Sequence, residues 1–129
     1  MSNDMNVVGW FEIPVADMDR AVKFYEAVFG YRLERHQMGA IDMAWFPMQP
    51  ESYGAMGALV CNEEFYKPST EGTLVYFHAP TGELDNELGK VEVAGGKLLI
   101  PKTQISEEHG HMAVCLDTEG NRIALHSMK

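Results

Sequence analysis

Shifted by 66 residues, the second half of this chain falls on the first without a gap. Trp10-Phe11-Glu12-Ile13-Pro14 meets Tyr76-Phe77-His78-Ala79-Pro80, Met18-Asp19 meets Leu84-Asp85, and Ala58-Leu59 meets Ala124-Leu125. Gly30 falls on Gly96, Leu33 on Leu99 and Gly54 on Gly120. The identities are few, but they sit at strand exits, helix starts, a helix stop and a hairpin turn, where backbone geometry restricts the residue. A repeat of this kind predicts a pseudo-twofold pair of units.

Each unit reads as strand, helix and three strands. In Val7–Val15, Phe11, Ile13 and Val15 share one face, and Trp10, Glu12 and Pro14 the other. Asp17 has the character of an N-cap. Behind it Met18, Ala21, Val22, Tyr25, Val28 and Phe29 keep the spacing of one helix face, and Gly30 stops the helix. Strands are expected at Tyr31–Met38, Met43–Met48 and Ala55–Cys61. The polar stretch 62–72 reads as a linker. The order then repeats: strand Thr73–Pro80, helix Glu83–Ala94, and strands Lys97–Ile105, His111–Leu116 and Asn121–His126. The fold class is α+β, with two tandem βαβββ modules (about 7–61 and 73–127) forming an open pseudo-twofold barrel around a central cleft. A ferredoxin-like sandwich also has βαβ units, but it has fewer strands per helix and no reason for the repeat.

A length of 129 residues fits one domain with an adequate core. The net charge of -9 opposes binding to nucleic acid or anionic membranes. Met1 to Asn6 carry no basic region and no long apolar stretch, so neither a secretion leader nor a membrane span is expected, and the location expected is the cytoplasm. There Cys61 and Cys115, which have no framework spacing, are expected to be reduced.

The run from Phe11 to Ala21, followed by Phe24-Tyr25 and Phe29-Gly30-Tyr31, resembles the first module of the vicinal oxygen chelate superfamily. That superfamily includes glyoxalase I, extradiol dioxygenases and bleomycin-resistance proteins. Leu116-Asp117-Thr118-Glu119-Gly120-Asn121-Arg122-Ile123-Ala124-Leu125 resembles its closing turn and strand. Gly95-Gly96-Lys97, Pro101-Lys102-Thr103 and Leu125-His126-Ser127 further resemble a subgroup related to lactoylglutathione lyase. The resemblance implies a homodimer and a small-molecule ligand. It also implies a metal ligand from the first and last strand of each module. Those positions here are Trp10, Ala58, Tyr76 and Ala124, of which alanine and tryptophan cannot ligate and a neutral phenol ligates poorly. No metal is therefore assigned, which puts metal-dependent glyoxalase or dioxygenase chemistry in doubt.

Further along the same faces lie Glu12, His78 and His126, the candidate catalytic residues. As repeat equivalents, Glu12 and His78 are expected to face each other across the axis. With His126 they offer general acid–base groups, or a displaced site for a divalent metal, or simply separate polar residues. Trp10, Trp45, Tyr76 and Arg122 are the candidate ligand-binding residues, the aromatics as walls and the cation for a ligand carboxylate. His109-Gly110-His111 has ligand-pair spacing but reads better as a solvated strand entry. His111 is expected to occupy the place of Trp45. Two functions follow: a glyoxalase-related lyase or isomerase acting on a small oxygenated metabolite, or a non-catalytic binding protein of the bleomycin-resistance kind. A third reading is an accessory domain whose cleft binds nothing tightly.

Overall fold

Asp17, in extended backbone, turns its carboxylate back to accept from the Arg20 amide at 3.1 Å and so starts helix α1 (Met18–Phe29). Gly30 closes it in the left-handed region, at φ 75°, where a residue without Cβ is unstrained. Of the face read from the spacing, Met18, Ala21, Tyr25, Val28 and Phe29 are buried and Val22 is half-buried; Phe24, not read as part of that face, is buried as well.

The computed structural model describes residues 6–129; the first five, within the stretch read above for a leader, lie outside the described residues. Around α1 run β1 (Trp10–Pro14), β2 (Glu34–Met38), β3 (Ile41–Trp45) and β4 (Met56–Cys61). The second unit holds β5 (Val75–His78), α2 (Leu84–Val91), β6 (Lys97–Ser106), β7 (Gly110–Leu116) and β8 (Arg122–Ser127). Two four-stranded sheets result, in the orders β1-β4-β3-β2 and β5-β8-β7-β6. In each, the first strand runs parallel to the last and the other pairs are antiparallel. This is the open, duplicated α+β architecture that the repeat implies. No helix among the described residues is long and apolar enough to cross a membrane.

The helix-covered faces of the two sheets share one core. Ile13, Phe46 and Leu59 of the first unit pack in the same cluster as Phe77, Cys115, Ile123 and Leu125 of the second. Tyr25 is its hinge. Its ring lies 5.5 Å from Phe46 and 5.6 Å from Phe77, and its hydroxyl donates to Asp117 at 2.7 Å. The opposite face of the first sheet carries a smaller cluster of Met43, Ala58 and Val60 with Trp45 and Tyr66.

Polar contacts lock the modules together at the β7–β8 turn. The buried carboxylate of Glu119 accepts from the Ala16 and Asp17 amides at 2.9 and 2.8 Å and from Arg20 Nε at 2.7 Å. Burial disfavours its charge, but these donors and Thr118 outweigh that and hold it below the ordinary carboxylate range. Asn121 Nδ2 donates to the Pro14 carbonyl at 2.7 Å, so the turn also grips the exit of β1.

Candidate functional site

β1 and β5 each have one strand partner, so each leaves an edge free. Between these strands lies a cavity of about 1090 Å³. Phe11, Tyr31, Phe46 and Phe77 reach it from the shared core, and Trp10 and Tyr76 from the opposite faces of their strands. Glu12, His78, Lys67 and Arg122 are its charged or titratable contributors, together with Glu71.

Glu12 is already engaged. Its Oε1 accepts from the Tyr66 hydroxyl at 2.7 Å and its Oε2 from the Trp10 indole at 3.2 Å. Tyr66 belongs to the stretch read as a linker, and no sequence signal marked it. Asn62 is what bends that stretch: its Oδ1 accepts from the Glu64 and Phe65 amides, and its Nδ2 donates to the Ala40 carbonyl. The chain thus folds back over the first sheet and sets Tyr66 against Met43, Ala58 and Val60. Donation to Glu12, helped by partial burial, raises the Tyr66 phenol above its ordinary range.

His78 is exposed in the cavity wall. The β3–β4 loop of the other module brings Tyr53 edge-on to it, with ring centroids 5.5 Å apart. His126 shares the sheet face of His78 but lines a smaller hollow of about 440 Å³ with Tyr76, Ile105, Glu108, His109 and Met128. Its Nε2 donates to the His109 carbonyl at 2.5 Å, which pins the ring to the β6–β7 turn. The structure therefore brings Glu12 and His78 to one cavity and sets His126 in the next.

Trp45, expected as a wall, lines neither hollow. It stacks on His36 at 3.8 Å and meets Trp10 edge-on at 6.2 Å, which makes it packing for the first sheet. Arg122 does line the main cavity. One guanidinium nitrogen donates to the Gly72 carbonyl at 2.9 Å, while Nε is buried with no partner.

Two expectations drawn from the gapless repeat need correction. Trp45 pairs with Ala58 in the first sheet, but Ala124, the repeat mate of Ala58, pairs with Val114. Val114, not His111, therefore occupies the place of Trp45. Strand alternation puts His111 on the face of Ala113 and Cys115, toward the helices. His109 precedes β7 and bonds Ser106, so the two imidazoles do not form a ligand pair on one strand face. The first strands also differ in register: Trp10 pairs with Met56 and Glu12 with Ala58, whereas Tyr76 pairs with Ala124. Glu12 is thus the positional counterpart of Tyr76, not of His78.

In this register the first-strand position beside Ala58 is held by Glu12, whose oxygens already accept from Tyr66 and Trp10, while Ala58 and Ala124 are fully buried methyl groups and Tyr76 offers only a phenol, so these positions do not make up a metal's donor set. Among the described residues, no three His, Cys, Asp or Glu side chains converge closely enough to hold a metal ion.

Comparison with known proteins agrees with this architecture. Residues 8–46 match the family model for bleomycin resistance protein-like N-terminal segments. A hypothetical protein from S. aureus superposes with a TM-score of 0.70 at 22% identity over 95% of both chains. A glyoxylase/bleomycin resistance protein/dioxygenase domain from Frankia gives 0.73 at 14% identity, over 98% of this chain and all of that one. A glyoxalase I variant from Zea mays gives 0.69 at 18% identity over 93% of this chain; this chain covers 46% of the maize protein. At such identities the likeness is one of fold. No curated protein matches.

Proposed function

We propose that this chain, whose first module matches the bleomycin resistance protein-like model and whose fold is that of the glyoxalase-like structures, is a glyoxalase-related protein of the vicinal oxygen chelate superfamily that takes a small oxygenated metabolite into the cavity between β1 and β5. The observation that carries this reading is the cavity itself: large enough for an organic molecule, aromatic on several sides, and bordered by a free imidazole. In the enzymatic form of the reading, a lyase or isomerase, His78 takes up and returns a proton on the ligand. Glu12, held by Tyr66 and Trp10, offsets the positive charge that develops on the His78 ring as it takes the proton. His126, bonded to the His109 carbonyl in the smaller hollow, takes no part in this step. Trp10, Tyr76 and Arg122 form the binding surface. No step is routed through a metal, because the donor positions do not fit one.

A second reading, sequestration without turnover, is favoured by one observation: both oxygens of Glu12 and Nε2 of His126 are already committed, leaving His78 alone. Incubation with glyceraldehyde and dihydroxyacetone in D₂O separates the two. The enzymatic reading expects protein-dependent C–H exchange, seen by NMR, that falls at least about 10²-fold in His78→Asn. Binding without exchange, or exchange unchanged in His78→Asn, supports sequestration instead.

The proposal includes a cytoplasmic homodimer. Exposed apolar residues support it: Leu99, Ile100 and Ile105 on the edge strand β6, and Met128 just beyond β8. Sedimentation should give twice the 14.4 kDa chain mass, and a single-chain mass at micromolar concentration would remove the dimer from the proposal.

A further inference from the structure

We propose that the cavity selects ligands bearing a carboxylate or comparable oxyanion, with Arg122 as the group that selects them. The inference rests on the reading that the cavity holds a small molecule, and it names that molecule's chemical class.

Arg122 opens β8 and, with Ala124 and His126, faces away from the shared core. Its position is fixed at two points. Its amide donates to the Ser69 carbonyl at 3.4 Å and one terminal nitrogen to the Gly72 carbonyl at 2.9 Å. The remaining donors are unspent. Nε is buried with no partner, and among the described residues no acceptor meets the second terminal nitrogen.

Of the four arginines, Arg20 and Arg35 pair with carboxylates, at 2.7 and 2.8 Å, while Arg32 and Arg122 have no such pair among the described residues. Arg32 is exposed to water, whereas Arg122 is half-buried. Arg122 instead meets only a backbone carbonyl, in the wall of a cavity large enough for an organic ligand. A guanidinium is a planar fork matched to a carboxylate, and partial removal from water strengthens the pairing.

The cavity also holds two carboxylates, but neither is paired with Arg122: the oxygens of Glu12 accept from the Trp10 indole and the Tyr66 hydroxyl, and Glu71 is exposed. Lys67 is a second, exposed cation, which makes the site more receptive to an anion. Phe11, Tyr31 and Phe46 offer apolar ring surface for the rest of the ligand. The volume of about 1090 Å³ is just above the range of small-molecule sites, roughly 300–1,000 Å³.

If Arg122 serves only to staple residues 69–72 to β8, its removal changes stability and leaves selectivity alone. The test therefore reads selectivity. Naphthalene-2-carboxylate and its neutral isostere naphthalene-2-carboxamide are titrated into the intact protein, followed by calorimetry and by the fluorescence of Trp10 in the cavity wall. The carboxylate is expected to bind about 10- to 100-fold more tightly, the worth of a charge-assisted hydrogen bond. In Arg122→Met the preference disappears while carboxamide affinity stays within about twofold, and Lys67→Met keeps most of the preference. Should Arg122→Met fail to fold, Arg122→Lys, which keeps the charge and loses the fork, is expected to weaken the carboxylate alone.

Equal affinity of the two probes for the intact protein overturns the anion selectivity and leaves the cavity reading standing. A preference that persists in Arg122→Met, or is lost in Lys67→Met, overturns the role of Arg122. Failure of both probes to bind overturns the selectivity and the cavity reading together.

Discussion

Asp117→Ala is expected to lower the free energy of unfolding by about 3–5 kcal/mol, the range seen when one partner of a buried charged network is removed. The carboxylate is buried and fully employed. Oδ1 accepts from the Glu119 and Asn121 amides at 2.8 and 2.9 Å; Oδ2 accepts from the Tyr25 hydroxyl at 2.7 Å and from Asn121 Nδ2 at 3.0 Å. An alanine leaves two backbone amides and a buried phenol without acceptors, and it loosens Asn121, which holds the exit of β1. The β7–β8 turn then no longer fixes the first module against the second. For a chain this size the melting temperature should fall by roughly 10–20 °C. A fall of less than 3 °C would mean that the modules are held by the shared apolar core alone.

The same network sets an alkaline limit on stability. Burial, reinforced by Asp117, pushes the Cys115 thiol up to about 12 and the Tyr25 phenol well above its ordinary value. The sign follows from which state loses its proton first. Unfolded, the thiol ionises near 9 and the phenol near 10, while the folded protein keeps both protons. Between those onsets and the folded values, the unfolded chain binds fewer protons, so stability falls as pH rises. The expected loss is about 1.4 kcal/mol per pH unit from one group and twice that where both contribute. Urea titrations from pH 8 to 11 read the slope directly, and Cys115→Ala should remove its share of the part that begins near 9, the rest coming from Cys61, whose thiol burial also pushes up.

The bounds of α1 were legible to the residue, because its Asp17 cap and Gly30 stop are local features; its burial stripe was legible apart from Phe24, which is buried where the spacing chose the half-buried Val22. The two faces of β1 were legible for the same reason, since alternation is local, whereas the shift of three in β7 turned the face of His111 over. What spacing could not carry was register. The interval from Trp45 to Ala58 spans 13 positions and that from Val114 to Ala124 spans 10. A longer β6–β7 hairpin and a shorter turn after it cancel, so the overall shift returns to its starting value by β8. A gapless alignment is blind to such a pair of compensating changes, and His111 was misplaced by it. Tyr66 was hidden differently. Its partner Glu12 is 54 positions away, and only the turn at Asn62 makes them neighbours. The cavity was thus legible as a place between modules, and its polar wiring was not.

Gly57→Ala should do the most damage to the site itself. Phe11 and Gly57 are strand partners, and the Phe11 ring lies over the glycine in place of a side chain. A Cβ built there stands 2.4 Å from the ring and 2.5 Å from the Phe11 carbonyl oxygen. The ring can swing away, but the carbonyl belongs to β1 and moves only with the strand. Relief therefore requires β1 to lift from β4, which also carries off Trp10 and Glu12 and tips Phe11 into the cavity. Overpacking of this kind costs about 1–3 kcal/mol, and the backbone contact places this case at the upper end. Gly89→Ala is the matched control. That glycine is exposed on α2 with nothing within 4 Å of the added carbon, so the change should raise stability by about 0.5–1 kcal/mol. The decisive comparison is ligand affinity at a temperature where both variants are folded. Gly57→Ala should weaken carboxylate and carboxamide probes alike by tenfold or more, because the wall they share has moved, whereas Gly89→Ala should leave both unchanged. Full affinity in a folded Gly57→Ala protein would mean that β1 does not form the wall of the site, and the ligand would have to be sought on the open face of the second sheet, around Tyr76 and His126.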